Sequence, residues 1–445
     1  MTQIKAALAW PNGKAYCFEK ETGVPGVPGV TYLRFDFVTG ALDQGSVPIA
    51  PNWPGLRLTR PDAALTWGFG KFYFFYGDEY VRFDLQANAV DPPYLPPNPP
   101  TRIAGNWNMP WTDRIDAAVN WGNGKVYFFR GPEYLRYDIA RDRMDETYPK
   151  SIAGHWNGIW PEGIDAALYQ GGTKAYFFRG AEFRRFDLAA DQVDQSGPIS
   201  ALTLDPVPSG LWTPARDLGA GEANRVMGYL IQTGKMSLSA AQTPYVGDWQ
   251  TGITSPKPET HVVLSPARID GVDFVNDGGA ATVIDNVDQR MAVTLYRLTR
   301  WLNASEPDIT VVRHKGIGHG NGPPADCHNQ GRALDFSGVD GTSFGVLFAK
   351  TVLGDWGNTA AVPGSVTRLD RARDPLAYDL FHTVLRFASF ECESTGIGPG
   401  NTFPPREIGD VAGFVVHPDY VDAPPPARQL RGAHQNHVHM QIGPT

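Results

Sequence analysis

Two segments of this 445-residue chain carry side chains able to hold a metal ion. One is His328-Asn-Gln-Gly331-Arg-Ala333-Leu-Asp335, and the other is His434-Gln-Asn-His437-Val-His439 near the C-terminus. Neutral imidazole and carboxylate together suit zinc, and three such ligands leave a fourth position for water or substrate. Strand alternation in His437-Val-His-Met-Gln-Ile442 puts His437, His439 and Gln441 on one face and Val438, Met440 and Ile442 on the other. In the earlier segment Ala333 and Asp335 share a face, opposite Leu334 and Phe336. Each strand therefore has one core side and one site side. The spacing of His328 from Asp335 is neither helical nor that of a strand face, and Gly331 supplies the turn that folds His328 back. Small Ala333 leaves room for an ion. Metal-dependent hydrolysis is the leading expectation. Of the ten histidines, eight fall in the last third, and His314, His319, His382 and His417 are read singly as structural.

The elements that must position these groups are visible as periodicities. Met291, Leu295, Leu298 and Leu302 mark one face of a helix beginning near Asp288. Asp374-Pro375 is a cap followed by a first-turn proline, leading into a face of Phe381, Val384, Leu385 and Ala388. Strand signals lie at Asp308-Ile-Thr-Val-Val312 and at both histidine segments, which predicts an α+β layered domain over residues 260–445. The stretch from Thr213 to Gly221 reads as a linker, and 213–259 as linker and entry segment.

Bulk properties narrow the function classes. A chain of this length predicts two domains. Its net charge of −8, without a run of Lys or Arg, argues against a nucleic-acid partner. No apolar stretch is long enough to predict a transmembrane segment. The first residues, Met1 to Trp10, lack the basic and apolar regions of a Sec signal and read as a strand. The expectation is export by a non-classical or injection-type route, or release by lysis, and otherwise a cytoplasmic location. Cys17, Cys327 and Cys392 are too few for a disulfide framework. Cys327 and Cys392 can form one bridge, and all three are taken as structural by default.

The first half repeats. Lys5-Ala-Ala-Leu8, Asp62-Ala-Ala-Leu65, Asp116-Ala-Ala-Val119 and Asp165-Ala-Ala-Leu168 recur at similar intervals. Second strands follow at Lys71-Phe-Tyr-Phe-Phe75, Lys125-Val-Tyr-Phe-Phe129 and Lys174-Ala-Tyr-Phe-Phe178, then third strands such as Glu79-Tyr-Val-Arg-Phe-Asp84. Short strands in four such units predict an all-β four-bladed propeller over residues 1–212. The alanines fit the crowded axis, and Trp53, Trp107 and Trp156 are placed to pack between blades. The pattern resembles hemopexin-like repeats. That resemblance implies a binding module for a surface or protein ligand, with an axial tunnel lined by first-strand carbonyls that often holds a cation, here Ca2+ or Na+. Lys5 departs from the Asp pattern, and Cys17 has no partner for the cystine that usually joins first and last blades. Haem is not expected, since His155 is the sole histidine of this half.

The pattern His-x-x-Gly-x-Ala-x-Asp with a terminal His-x-His resembles zinc metallopeptidases that include D-Ala-D-Ala carboxypeptidases, murein endopeptidases and the Hedgehog signalling domain. The resemblance implies that His328, Asp335 and His439 ligate Zn2+, that His437 acts as base or transition-state stabiliser, and that His434 is a further active-site histidine. Asp326 stands where the family commonly has Ser. Arg313 is read as the group that neutralises an oxyanion or holds a substrate carboxylate. The function implied is a zinc peptidase or amidase, a peptidoglycan hydrolase above all, acting on a peptidoglycan peptide and targeted by the propeller. The alternative is a non-enzymatic toxin- or adhesin-type binding protein with a structural metal site. A non-haem iron oxygenase fits less well, because its carboxylate usually lies close to its first histidine.

Overall fold

The computed structural model describes residues 2–19, 30–57, 59–68, 70–279, 282–320, 322, 324, 326–357, 369–392, 414–419 and 431–443. The chain divides into two compact units, Met1–Trp212 and Thr213–Thr445. Among the described residues no helix is long and apolar enough to cross a membrane.

The first unit is a four-bladed propeller of antiparallel meanders. Its innermost strands are Ile4–Trp10, Ala63–Gly68, Ala117–Asn120 and Ala166–Tyr169, and each pairs only with the next strand of its own blade. Adjacent innermost strands pack round the ring, the last against the first. The paired alanines are buried there, because nothing larger fits between strands that converge on an axis. Between blades sit the expected tryptophans. Trp53 meets Tyr16 and Phe18 on one side and Phe74 and Phe83 on the other. Trp107 and Trp156 repeat this against Phe75 and Phe128, and against Phe129 and Phe177. A lysine opens each second strand between two aspartates: Lys125 reaches Asp138 at 2.6 Å and Asp145 at 3.3 Å. The pair is almost completely buried, so each charge depends on the other for its solvation.

Backbone hydrogen bonds tie the end of this unit to its beginning. Leu204 N–H donates to Gly40 O and Val207 N–H to Phe37 O, both at 2.8 Å. The approach is close enough that a β-carbon on Gly40 would lie 1.9 Å from Leu204 O. These contacts close the ring without a cystine.

In the second unit, the residues from Thr213, expected to be linker and entry segment, are folded. Helix α1 (Ala220–Gln232) buries Ala223, Val226, Met227 and Leu230 and packs on α2 (Gln289–Leu302). The Gly- and Pro-rich start of this stretch hid an amphipathic helix immediately behind it. Asp288 caps α2, its side chain accepting from Arg290 N at 2.9 Å. Helix α3 (Pro375–Cys392) starts at the expected proline, with Asp374 accepting from Ala377 N at 2.9 Å, and its predicted apolar face is buried.

The main sheet contains β1 (Arg268–Ile269), β2 (Val272–Asn276), β3 (Asp308–Ile317), β4 (Ala333–Ser343), β5 (Val346–Thr351), β6 (Phe414–Val416) and β7 (Val438–Gln441). Its order is β1-β2-β3-β4-β7-β6, with β5 also paired to β4. Only β2 and β3 run parallel. Phe336 of β4 meets Phe381 of α3, so this helix covers the face opposite Asp335. Cys17, Cys327 and Cys392 are buried thiols.

Candidate metal centre

The sheet register brings the two histidine segments together. Asp335 of β4 and His439 of β7 are direct cross-strand partners, a placement that puts their side chains on one face. His439 Nδ1 lies 2.8 Å from Asp335 Oδ1. His328 Nε2 lies 3.2 Å from the same oxygen, and His437 Nε2 lies 3.5 Å from it. One ligand atom from each of His328, Asp335 and His439 falls within 4.8 Å of the others. His434, on a 3-10 turn, adds its ring 4.8 Å from that of His437 and 5.5 Å from that of His439.

The turn before β4 delivers His328. Gln330 N–H donates to Asp326 O at 3.0 Å, Gly331 N–H to His328 O at 2.9 Å, and Arg332 N–H to Cys327 O at 2.8 Å. Gly331 has φ +66°, in the left-handed region that a glycine adopts freely. Asp326 Oδ1 accepts from His328 N at 2.8 Å. Asp326 therefore fixes the turn that presents the ligand, a role legible only once the turn is seen. Asn286 braces the same turn by donating to Asn329 O at 3.0 Å.

Burial and charge set the protonation states. Burial alone would raise the Asp335 carboxyl, but hydrogen bonds from His328 and His439 hold it well below the usual carboxylate range. Burial disfavours a charged His439, yet its hydrogen bond to Asp335 and that carboxylate's charge raise its pKa overall. His437 goes the other way, pushed down to about 4 mainly by burial. It is a neutral imidazole at neutral pH. Its Nδ1 lies 2.7 Å from Asn436 Oδ1. An amide oxygen only accepts, so Nδ1 carries the proton and Nε2 presents its lone pair to the cluster. The expected site face is itself covered: His437, His439 and Gln441 are only 9%, 7% and 4% exposed.

Arg313 is not among the groups gathered here. Its guanidinium forms a two-pronged ion pair with Asp340, with Nε 2.8 Å from Oδ1 and Nη2 close to Oδ2. The pair clamps neighbouring strands together and engages one donor each from Nε and Nη2. Of the other histidines, His417 stacks on Trp356, His382 stacks on Tyr378, and His319 Nε2 lies 3.0 Å from Asp285 Oδ1.

The propeller axis has its own chemistry. Asp62, Asp116 and Asp165 each accept from a turn glycine N–H, those of Gly77, Gly131 and Gly180, at 2.7 Å. The fourth position is Lys5, whose ammonium pairs with Asp165. Deeper in, Asn120 Nδ2 donates to Thr66 O at 3.0 Å and to Trp67 O at 3.1 Å, and Thr66 Oγ1 donates to Ala9 O. The space left between these strands is about 10 Å³, room for at most one water. Side-chain donors thus occupy the carbonyls of Ala9, Thr66 and Trp67, and the mouth holds the Lys5 ammonium.

The family model described as Hemopexin matches residues 61–110 and 115–161, two of the four blades. The N-terminal half is a hemopexin-type four-bladed propeller. Stromelysin-3 of Xenopus laevis is 36% identical over 117 residues, which is 25% of this chain and 22% of that protein. The chain thus spans less than a quarter of the length of that relative. A seed albumin from Lathyrus sativus is 21% identical, covering 44% of this chain and 92% of its own, with a TM-score of 0.36. A hemopexin fold protein from cow pea is 22% identical over 45% and 94%, with a TM-score of 0.37.

Proposed function

We propose that the second unit is a zinc-dependent peptidase or amidase acting on a peptidoglycan peptide, and that the hemopexin-type propeller binds a surface or protein ligand that brings it there. The observation that carries this reading is the convergence of His328, Asp335 and His439 on one small volume, with His437 beside it. Two imidazoles and a carboxylate would hold zinc. Bound there, zinc would acidify a water and polarise the scissile carbonyl.

The protein groups have separable tasks. His437 is neutral at neutral pH because burial lowers its pKa, so Nε2 can take a proton during attack and return it to the leaving nitrogen. Asn436 holds the other ring nitrogen and keeps that lone pair aimed inward. The His434 ring packs beside His437 and limits its rotation. Low exposure of the cluster strengthens each of these electrostatic interactions.

The deciding experiment is metal analysis of the purified full chain combined with digestion of purified peptidoglycan and chromatography of the released fragments. Stoichiometric zinc and zinc-dependent release of muropeptides are expected. A chain that binds no metal, or that keeps zinc and leaves peptidoglycan intact, overturns the enzymatic reading. The second outcome favours a binding protein with a structural metal site.

A further inference from the structure

We propose that Gln441 is the positioning residue of the metal centre: its side-chain oxygen accepts a hydrogen bond from His439 Nε2–H and thereby presents Nδ1 as the ligand atom. This rests on the zinc reading above and assigns a task to a residue outside the ligand set.

A neutral imidazole has one donor and one acceptor, and a metal takes the acceptor. His439 Nδ1 faces Asp335 Oδ1 at 2.8 Å, while Nε2 faces Gln441 Oε1 at 3.1 Å. With a cation shared between Nδ1 and Asp335, the single ring proton must sit on Nε2. That proton is then buried and needs an acceptor, because an unsatisfied N–H in such a place is costly. Gln441 follows His439 by two residues on β7, so strand alternation returns it to the same face. Its cross-strand partner is Ala333, whose methyl leaves space for the longer amide. An amide supplies an acceptor without a second negative charge beside Asp335. Partners of this kind orient ligating histidines in metal sites, and their loss typically weakens metal binding about 10- to 100-fold.

The test uses the full chain as wild type, Gln441→Leu and Gln441→Glu. Zinc affinity is measured by competition with a chromogenic chelator, and melting of the metal-free forms is measured in parallel. Gln441→Leu should bind zinc about 10- to 100-fold more weakly, whereas Gln441→Glu, which keeps an acceptor, should recover most of that loss. Nitrogen-15 NMR of the zinc-loaded wild type should show His439 as the Nε2–H tautomer. A purely structural role would lower metal-free melting without distinguishing Leu from Glu in zinc affinity. The inference alone is overturned if wild type binds zinc and Gln441→Leu matches it, if Leu and Glu weaken binding equally, or if His439 is the Nδ1–H tautomer. A wild type that binds no zinc overturns the parent reading and this inference together.

Discussion

Replacing Gly331 with alanine tests whether the turn before β4 builds the site, and the cost can be worked out from two separate contributions. At φ +66° a non-glycine residue pays about 1–2 kcal/mol for left-handed backbone. The added β-carbon would also lie 2.3 Å from Asn286 O and 2.5 Å from Asp288 N. Those are backbone atoms of the segment entering α2, so the contact is not relieved by a rotamer change. Relief by backbone movement costs a further 1–3 kcal/mol or so, for a total of about 2–5 kcal/mol. Gly345 isolates the first contribution: it has φ +80° with nothing within 4 Å of a β-carbon. Gly345→Ala should therefore cost only about 1–2 kcal/mol. Scanning calorimetry of the full chain in chelator should show the melting transition of the second unit lowered roughly twice as far by Gly331→Ala as by Gly345→Ala. Zinc affinity should fall in the first variant, because His328 rides on the displaced turn, and stay unchanged in the second. Equal melting shifts, or wild-type zinc affinity in Gly331→Ala, would refute the claim that this turn is held by its steric surroundings and delivers the ligand.

Other consequences follow from single groups. His437→Ala should keep its zinc yet lose about 10²- to 10⁴-fold in peptidoglycan hydrolysis, read from metal content and fragment release on one preparation. Burial lowers His417 and His314 from 6.5 to about 3 and about 4. Each is then neutral when folded and takes up a proton on unfolding, so its contribution to stability is complete above about pH 6.5 and is lost as pH falls towards 4 and 3. Melting of the second unit should fall across that window, and His417→Leu should flatten the slope. Melting of the propeller should be indifferent to calcium in the wild type, whereas Lys5→Asp, which removes the ammonium and restores the acidic residue of the other blades, should make it rise with added calcium.

The propeller was legible because repetition multiplies weak signals: four Ala-Ala strands and three inter-blade tryptophans each have a steric reason, and the structure uses them accordingly. Lys5 was visible only as a departure. Its pairing with Asp165, 160 residues away, and the capping of inner-strand carbonyls by Asn120 and Thr66 depend on ring closure, which no local pattern encodes. In the second unit, alternation predicts the faces of Asp335 and His439, which the register makes cross-strand partners, and Gly331 lies in the turn before β4. The pairing of Arg313 with Asp340 is not legible locally, because register decides which carboxylate meets which guanidinium. Gln441 was on the right face from the start, yet a glutamine has no chemistry of its own to advertise. Its importance comes from the nitrogen it faces.

Asp335 links these observations, because a buried carboxylate needs a counter-charge. Three imidazoles surround it, and leaving such a charge unpaired would be strongly destabilising. In the metal-free chain a proton taken up by His439 is favoured by its hydrogen bond to this carboxylate and by the carboxylate's charge, which raise that ring's pKa, whereas burial lowers that of His437. A divalent cation would replace that proton, so zinc and hydrogen ions compete for one place. Zinc affinity should therefore weaken as pH falls, and binding near neutral pH should release protons, measurable as a dependence of calorimetric binding heat on buffer ionisation enthalpy. Asp335→Asn removes the charge that both ligands neutralise. It should abolish zinc binding and also lower the His439 pKa, which NMR titration of the metal-free variant reads directly. A His439 pKa unmoved by Asp335→Asn would show that the imidazole and the carboxylate are neighbours without being coupled, and the convergence of the two segments would then lose its electrostatic meaning.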